Sequence, residues 1–594
     1  MSNPTADAAL REAAQHMQGN RPDEAFAAAQ RAVRARPGDP GALQIMGLVS
    51  MSRGKPGDAE AFLRQALVAT PDSPDILCNL GVTASARQKR DEALQFFERA
   101  LKANPAHVPS WANASTLLAD MGRLEESIMC VGRALQAAPN RPDLLKEAAR
   151  QLLLQGRVAE SIHFNEQGRA HETNNPLPAM QTLMSLCYLS ESPASEVSEK
   201  HRSFGEALAK VSSPDVPDFS SRRDPERRLR IGLLSPDFRL HSCANFIAPV
   251  LGHLPRAGFE VHCYSQVQEQ DAIGSHLRSL ADGWRVTAGK GGAQIAQQCR
   301  DDAIDVLIDL AGYTYGTRID AMLYHAAPVQ MTYLGYPCTT GLANVGWRIV
   351  DSVTDPAGSE SLSSERLARV EGCFLCFEPL EHVKRMGVVE RRASEGFTFA
   401  AFTGLAKISK AAVEAWARIL RESPGSRLVL KNRYLNDAGT WARWQKLFAD
   451  AGVPEGALQR AAHDESFEAH MRSFEGVDLV LDTFPYNGTT TTCEQLWIGV
   501  PVLTFEGDRH ASRVGASLIR HAGVPELVAT DVDDFVRRAA GFAKDPGGLA
   551  ALRRQIRGRV EGSDLLNAPK FGRRLGETIR GAWREWCASP GSPG

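Results

Sequence analysis

The residues with the most evident chemistry lie between Val477 and Phe505. Four hydroxyls, Thr489, Thr490, Thr491 and Thr492, follow a Pro-Tyr-Asn-Gly turn, which itself follows the apolar run Val477–Leu481. That order predicts strand, loop and helix start, with Pro501–Phe505 as the next buried strand. A helix start carries unpaired N–H groups and the positive end of the helix dipole, so it can seat a phosphate. The threonines add hydroxyl donors. Glu494, one turn further in, brings a carboxylate able to accept both hydroxyls of a ribose. The ligand this set suits is a nucleotide held by its diphosphate and its sugar. A Thr-capped helix in an ordinary parallel sheet begins the same way, so the reading leans on other groups along the chain.

Three such groups stand beside predicted strands. Lys407 lies in Phe402-Thr-Gly-Leu-Ala-Lys-Ile408, where its point charge can neutralise a phosphate that gains charge as a leaving group departs. His470, just ahead of the phosphate-seat strand, can stack on a nucleobase through its ring face. His241, in Ser235-Pro-Asp-Phe-Arg-Leu-His241, can act as a base or as a polar donor to a sugar. Each residue also has a plain structural reading, as a solvated lysine, a helix histidine and a loop histidine.

The elements that must position these groups form an alternating β/α order. Strands are predicted at Arg230–Ser235, Phe259–Ser265, Val306–Gly312 and Val329–Tyr336. A second series is predicted at Phe397–Phe402, Arg427–Lys431, Val477–Asp482, Val502–Phe505 and Leu527–Ala529. Two tandem α/β domains imply a cleft, with ligands at the C-terminal ends of the parallel strands.

Ahead of them stands a repeat. Pro37, Pro71, Pro105 and Pro139 recur at an interval of 34 residues, the tetratricopeptide period. Small residues keep the same interval at Ala25, Ala59, Ala93, Ser127 and Ser161, where paired helices approach closely. Gly122 and Gly156 mark helix–helix turns. Five helix pairs fit, and such an array commonly recruits a peptide or protein, or serves as a packing element. The pattern fades after about Asn174, and Ser213-Pro-Asp-Val-Pro217 with the charged run Arg222–Arg228 reads as a boundary.

Composition sets the outer limits. A chain of 594 residues is too long for one core, and the length suggests about three or four domains. Lys and Arg number 68 against 70 Asp and Glu, a formal charge of −2, so no global field favours nucleic acid or an anionic membrane. No signal-like start and no long apolar run is present, which predicts a cytoplasmic protein. Eleven scattered cysteines fit reduced thiols. Cys373-Phe-Leu-Cys376 lacks the further ligands of a zinc site and is expected to be buried.

The repeats, followed by Ser-Pro-Asp-Phe-Arg-x-His, Leu334–Gly341, Leu405–Ser409 and Asp482–Glu494 in that order, resemble the O-linked N-acetylglucosamine transferase/SPINDLY family over nearly the whole chain, most closely its bacterial SPINDLY-like branch. The resemblance implies an α-solenoid over 7–172, a linker or transition region over 173–228, and a GT-B glycosyltransferase of two Rossmann-like halves, 229–390 and 391–588. It implies metal-independent, inverting transfer of a sugar from a nucleotide donor to Ser or Thr of an acceptor protein. By the same resemblance, Lys407, Thr490 and Thr491 contact the donor diphosphate, His470 stacks on the base, Glu494 binds the ribose, and His241 lies near the sugar. Substrate-assisted or water-relayed proton transfer stands beside His241 as the route for the acceptor proton. The chain departs from the pattern at Thr403-Gly404, Tyr313 and Gly346. UDP-N-acetylglucosamine is the first donor expected, with GDP-fucose, or a CMP-nonulosonic acid acting on flagellin, as alternatives. A repeat adaptor with an inactive transferase domain is the reading of another class.

Overall fold

The computed structural model describes residues 4–171, 177–211, 217–392, 396–464 and 466–589. The first ten helices, from Pro4–Gln18 to Val158–His171, form five pairs. Ala25, Ala59, Ala93, Ser127 and Ser161 are all buried on the second helix of their pair, as the 34-residue spacing predicts. Close approach is enforced from the other side as well. A Cβ added to Gly47 would lie 2.7 Å from Leu63, and one added to Gly81 would lie 2.5 Å from Phe97. The turn inside each pair has a left-handed residue at Asn20, Gly54, Gln88, Gly122 and Gly156, so the backbone keeps the period even where glycine is absent.

The stretch expected as a linker carries two helices, Leu177–Leu186 and Ala194–Val211. Residues 172–176 and 212–216, which include most of the expected boundary Ser213–Pro217, lie outside the described residues. The second helix docks backbone to backbone on the α/β unit. A Cβ on Gly205 would lie 2.0 Å from the Gly341 carbonyl oxygen, and one on Gly341 would lie 2.0 Å from that of His201.

The α/β unit contains two parallel sheets. The first holds β1 (Leu229–Ser235), β2 (Phe259–Ser265), β3 (Gly283–Val286), β4 (Val306–Asp309), β5 (Val329–Thr332), β6 (Trp347–Val350) and β7 (Arg366–Arg369), in the order β3-β2-β1-β4-β5-β6-β7. The second holds β8 (Thr398–Phe402), β9 (Arg427–Lys431), β10 (Leu458–Arg460), β11 (Leu479–Leu481), β12 (Val502–Phe505) and β13 (Val528–Ala529), in the order β10-β9-β8-β11-β12-β13. In each sheet the order reverses once, between β1 and β4 and between β8 and β11. A crevice opens at such a reversal because the flanking crossovers leave in opposite directions. Of the predicted site residues, His241 follows β1, Lys407 follows β8, the threonines and Glu494 follow β11, and His470 lies between β10 and β11.

The final helix, Ala568–Ala588, returns to the first sheet. Trp583 is buried and its Nε1–H donates to the Asp224 carbonyl at 2.9 Å, while Gly572 and Gly576 admit His253 and Phe259 at close range. No helix among the described residues is long and apolar enough to cross a membrane. Cys373 and Cys376 are both buried free thiols.

Candidate active site

The loop leaving β11 is built around Asp482. Its Oδ1 accepts from the Thr483 and Gly488 N–H groups at 2.9 and 2.8 Å, and its Oδ2 accepts from the Thr504 hydroxyl at 2.9 Å. Burial pushes this carboxyl up to about 6, against the pull of those donors and of Lys407. Asn487 completes the loop. Its Nδ2 donates to the Thr483 carbonyl at 2.7 Å and its Oδ1 accepts from Gly515 N–H at 3.1 Å. The Phe484–Pro485 bond is cis. The polypeptide is thereby delivered to the helix Thr490–Trp497 with Thr489 at its cap.

This helix start is uncommitted. The Thr489 side chain makes no capping bond, and among the described residues no protein group bonds to the hydroxyls of Thr489, Thr490 or Thr491. Glu494 is half-buried and also without a partner there, and burial raises its carboxyl to about 7. Gly488 has to be small: a Cβ there would lie 2.7 and 2.9 Å from the hydroxyls of Thr492 and Thr491.

Lys407, in the short turn after β8, reaches the same place. Its Nζ donates to the Asn487 carbonyl at 3.1 Å and stands 4.4 Å above the Tyr486 ring. Burial lowers the ammonium to about 8, with Asp482 opposing. Tyr486 in turn packs against Tyr188, with ring centroids 4.9 Å apart and planes tilted by 34°. The loop from β8 and the loop from β11 therefore converge, with Lys407 held to the turn that leads into the threonine helix start.

His470 lies on the helix Phe467–Arg472, capped by Ser466, whose hydroxyl accepts from Ala469 N–H at 3.1 Å. Its ring packs against Phe402, at the end of β8, and Phe474, with centroids 6.0 and 5.9 Å away. Burial, with Lys431 assisting, lowers it to about 4, so the imidazole is neutral and presents an uncharged aromatic surface.

His241 follows β1 in the other sheet. Its Nδ1 accepts from Cys243 N–H at 3.3 Å and stands 3.6 Å from Asp237 Oδ1. An Nδ1 that accepts leaves the ring proton on Nε2, the donor tautomer. No hydrogen bond joins His241 to the Lys407 group among the described residues.

The departures from the family pattern have structural counterparts. Tyr313 is buried, donates its hydroxyl to the Thr340 carbonyl, and packs edge-on against Phe204 and Tyr336 at 5.2 and 5.4 Å. Sequence reasoning missed Asp482, Asn487, Tyr486 and Tyr188. An acid ending an apolar run ahead of a Pro-Tyr-Asn-Gly turn was the available signal for the first three, and nothing local marked Tyr188.

Two Rossmann-like halves, each a parallel sheet with one reversal of strand order, define a GT-B glycosyltransferase fold. The chain belongs to glycosyl transferase family 41, whose model matches residues 169–397 and 391–575, and tetratricopeptide models match residues 46–108 and 108–141. It is 35% identical over 409 residues, 68% of its own length, to the probable UDP-N-acetylglucosamine–peptide N-acetylglucosaminyltransferase SPINDLY of Arabidopsis thaliana, and 34% identical to that of Petunia hybrida. It spans 45% and 44% of those two proteins. A solved structure of a mutant O-GlcNAc transferase from Thermobaculum terrenum matches with a TM-score of 0.75 and 28% identity, covering 86% of this chain and 98% of the other.

Proposed function

We propose that this chain is a protein O-glycosyltransferase that moves a sugar from a nucleotide donor, UDP-N-acetylglucosamine first among candidates, to Ser or Thr of an acceptor recruited by the repeats. The observation that carries the proposal is the convergence of Lys407 with the uncommitted threonines at the start of Thr490–Trp497. A cation, hydroxyl donors and a helix N-terminus meet where a diphosphate would gain charge. These are donors suited to phosphate oxygens rather than a set of carboxylates suited to a divalent cation.

In the reaction an acceptor hydroxyl attacks the anomeric carbon as the bond from that carbon to the phosphate oxygen breaks, with inversion. Lys407 and Thr490/Thr491 stabilise the departing diphosphate. Glu494 accepts from the ribose, and the neutral ring of His470 stacks on the base. His241, in the tautomer described above, donates from Nε2 to the sugar. A base role would require the ring proton on Nδ1, facing Asp237.

The test is a thermal-shift panel with UDP, GDP and CMP, since a ligand bound only by the native state raises the melting point. A selective UDP shift is expected. A GDP shift would replace the donor with a fucose carrier and a CMP shift with a nonulosonic acid carrier. No shift at millimolar nucleotide would overturn the transferase reading in favour of a repeat adaptor.

A further inference from the structure

Behind the phosphate seat lies a second group of reactive side chains that the transfer chemistry does not use. Cys187 ends the region of the first transition helix, His201 lies on Ala194–Val211, and Cys338 follows β5. Their ligand atoms all lie within 4.8 Å of one another. Both cysteines line a cavity of about 100 Å³, shared with Val197, Arg348, Asp355 and Arg509, which gives a small oxidant somewhere to sit. Three such groups invite a metal, but the histidine is already engaged at both nitrogens. Nδ1 donates to the Val197 carbonyl at 2.6 Å, and Nε2 pairs with the Tyr336 hydroxyl at 2.6 Å. Two sulphurs remain.

We propose that Cys187 and Cys338 form a reversible disulfide, made by a hydroperoxide, that loosens the donor seat when it closes. The sulphurs need to approach to about 2 Å, a movement of under about 3 Å from their present separation that side-chain rotation and a small shift of the exposed end of the helix pair can supply. Cys338 is the attacking group. The neighbouring Cys187 holds the Cys338 thiol well below the ordinary range, with His201, whose Nδ1 stands 3.8 Å from the Cys338 sulfur, and Arg348 assisting and burial opposing, which favours the thiolate that reacts with peroxide. Its sulfur takes one peroxide oxygen, giving a sulfenic acid and hydroxide. The Cys187 sulfur then displaces that oxygen as hydroxide, forming the S–S bond. The proton already lacking from Cys338 and the one lost from Cys187 convert the hydroxides to water, so two thiols and one hydroperoxide give one disulfide and two waters, or water and an alcohol.

The consequence passes through one neighbour. Tyr188, next in sequence to Cys187, packs its ring against Tyr486, and Lys407 Nζ stands over the Tyr486 ring. Drawing Cys187 toward Cys338 pulls Tyr188 from that contact and removes the platform under the ammonium. This coupling rests on the proposed donor seat; the disulfide does not.

The experiment is mild hydroperoxide treatment of the reduced full-length protein, followed by peptide mapping without reduction and by UDP titration. The expected product is a Cys187–Cys338 linked peptide formed about tenfold faster than oxidation of Cys130, whose thiol burial raises to about 11. A dithiol reductant should reverse it, and UDP affinity should fall severalfold on oxidation and recover with reduction. In Cys187→Ser, or Cys187→Ala if the serine fails to fold, Cys338 should stop at a sulfenic acid trapped by a dione reagent and UDP affinity should not respond. Oxidation of other cysteines while these two stay free would overturn the proposal, as would a bound zinc that protects both. A disulfide that forms with UDP affinity unchanged would overturn the coupling alone.

Discussion

Lys407 offers the sharpest test of the site because its proton lies within reach of ordinary buffers. Burial lowers the ammonium from 10.5 to about 8, so the free protein has about nine-tenths of it charged near pH 7 and about one-tenth near pH 9. A bound diphosphate favours the charged form and raises its pKa, so binding at the higher pH has to take up a proton. The terminal phosphate of the nucleotide, with a second pKa near 6, is already about nine-tenths ionised at pH 7 and adds little slope of its own. The Lys407 contribution to UDP affinity should therefore fall about tenfold between about pH 7 and about pH 9, equivalent to about 1.4 kcal/mol, against a rise of up to about twofold as Glu494 completes its ionisation. Calorimetric titration at both values, in buffers of different ionisation enthalpy, reads the affinity and the proton uptake together. Lys407→Ala should flatten the profile and lower turnover about a hundred- to a thousandfold. Lys407→Arg, always charged, should flatten it while retaining affinity. A wild-type affinity that is constant across the window, or a fall that survives in Lys407→Ala, refutes the assignment of the charge to the donor.

Glu494 should shape the acid side. Its raised carboxyl titrates near 7, so UDP affinity should fall as the pH drops below that value and the ribose acceptor is protonated. Titration of Glu494→Gln should show that limb removed and the alkaline limb kept. Gly488→Ala should displace the hydroxyls of Thr491 and Thr492, raising the UDP dissociation constant about tenfold; because those side chains can rotate, the melting point should barely move. Gly205→Ala has no such escape, since its Cβ would meet backbone. It should cost about 1–3 kcal/mol by denaturant titration. In the repeats, Gln88 holds φ at +62 where neighbouring turns use glycine, so Gln88→Gly should stabilise by about 0.5–1 kcal/mol in the same assay.

The inner strands β4, β5, β8, β11 and β12 were readable because burial on both faces favours apolar runs, and β1, β2 and β9 because apolar residues still dominate their buried positions. The strands missed have physical reasons. β3, β7 and β10 lie at sheet edges and carry Arg285, Arg366, Arg369 and Arg460, so they lack the apolar signature. The inner strand β6 is interrupted by Arg348, which is buried beside Asp355. Among site groups, Lys407 and the threonine run announced themselves because a cation and a helix start are local features. Tyr188 did not, because its partner lies almost three hundred residues away. The two helices between the repeats and β1 were hidden likewise, since what fixes them is the close backbone contact of Gly205 with Gly341.

The closing helix, Ala568–Ala588, has a consequence for how the protein is made. Its buried residues Phe571, Leu575, Ile579 and Trp583 belong to the core beneath the first sheet, whose last strand, β7, leaves the ribosome some two hundred residues earlier. At about 5–20 residues per second, that half waits on the order of ten to forty seconds with an apolar flank bare to solvent or to a chaperone. Synthesis of the second half is thus a race against aggregation of the first, and a stop codon just upstream of Ala568 would leave the nascent chain with that flank permanently uncovered.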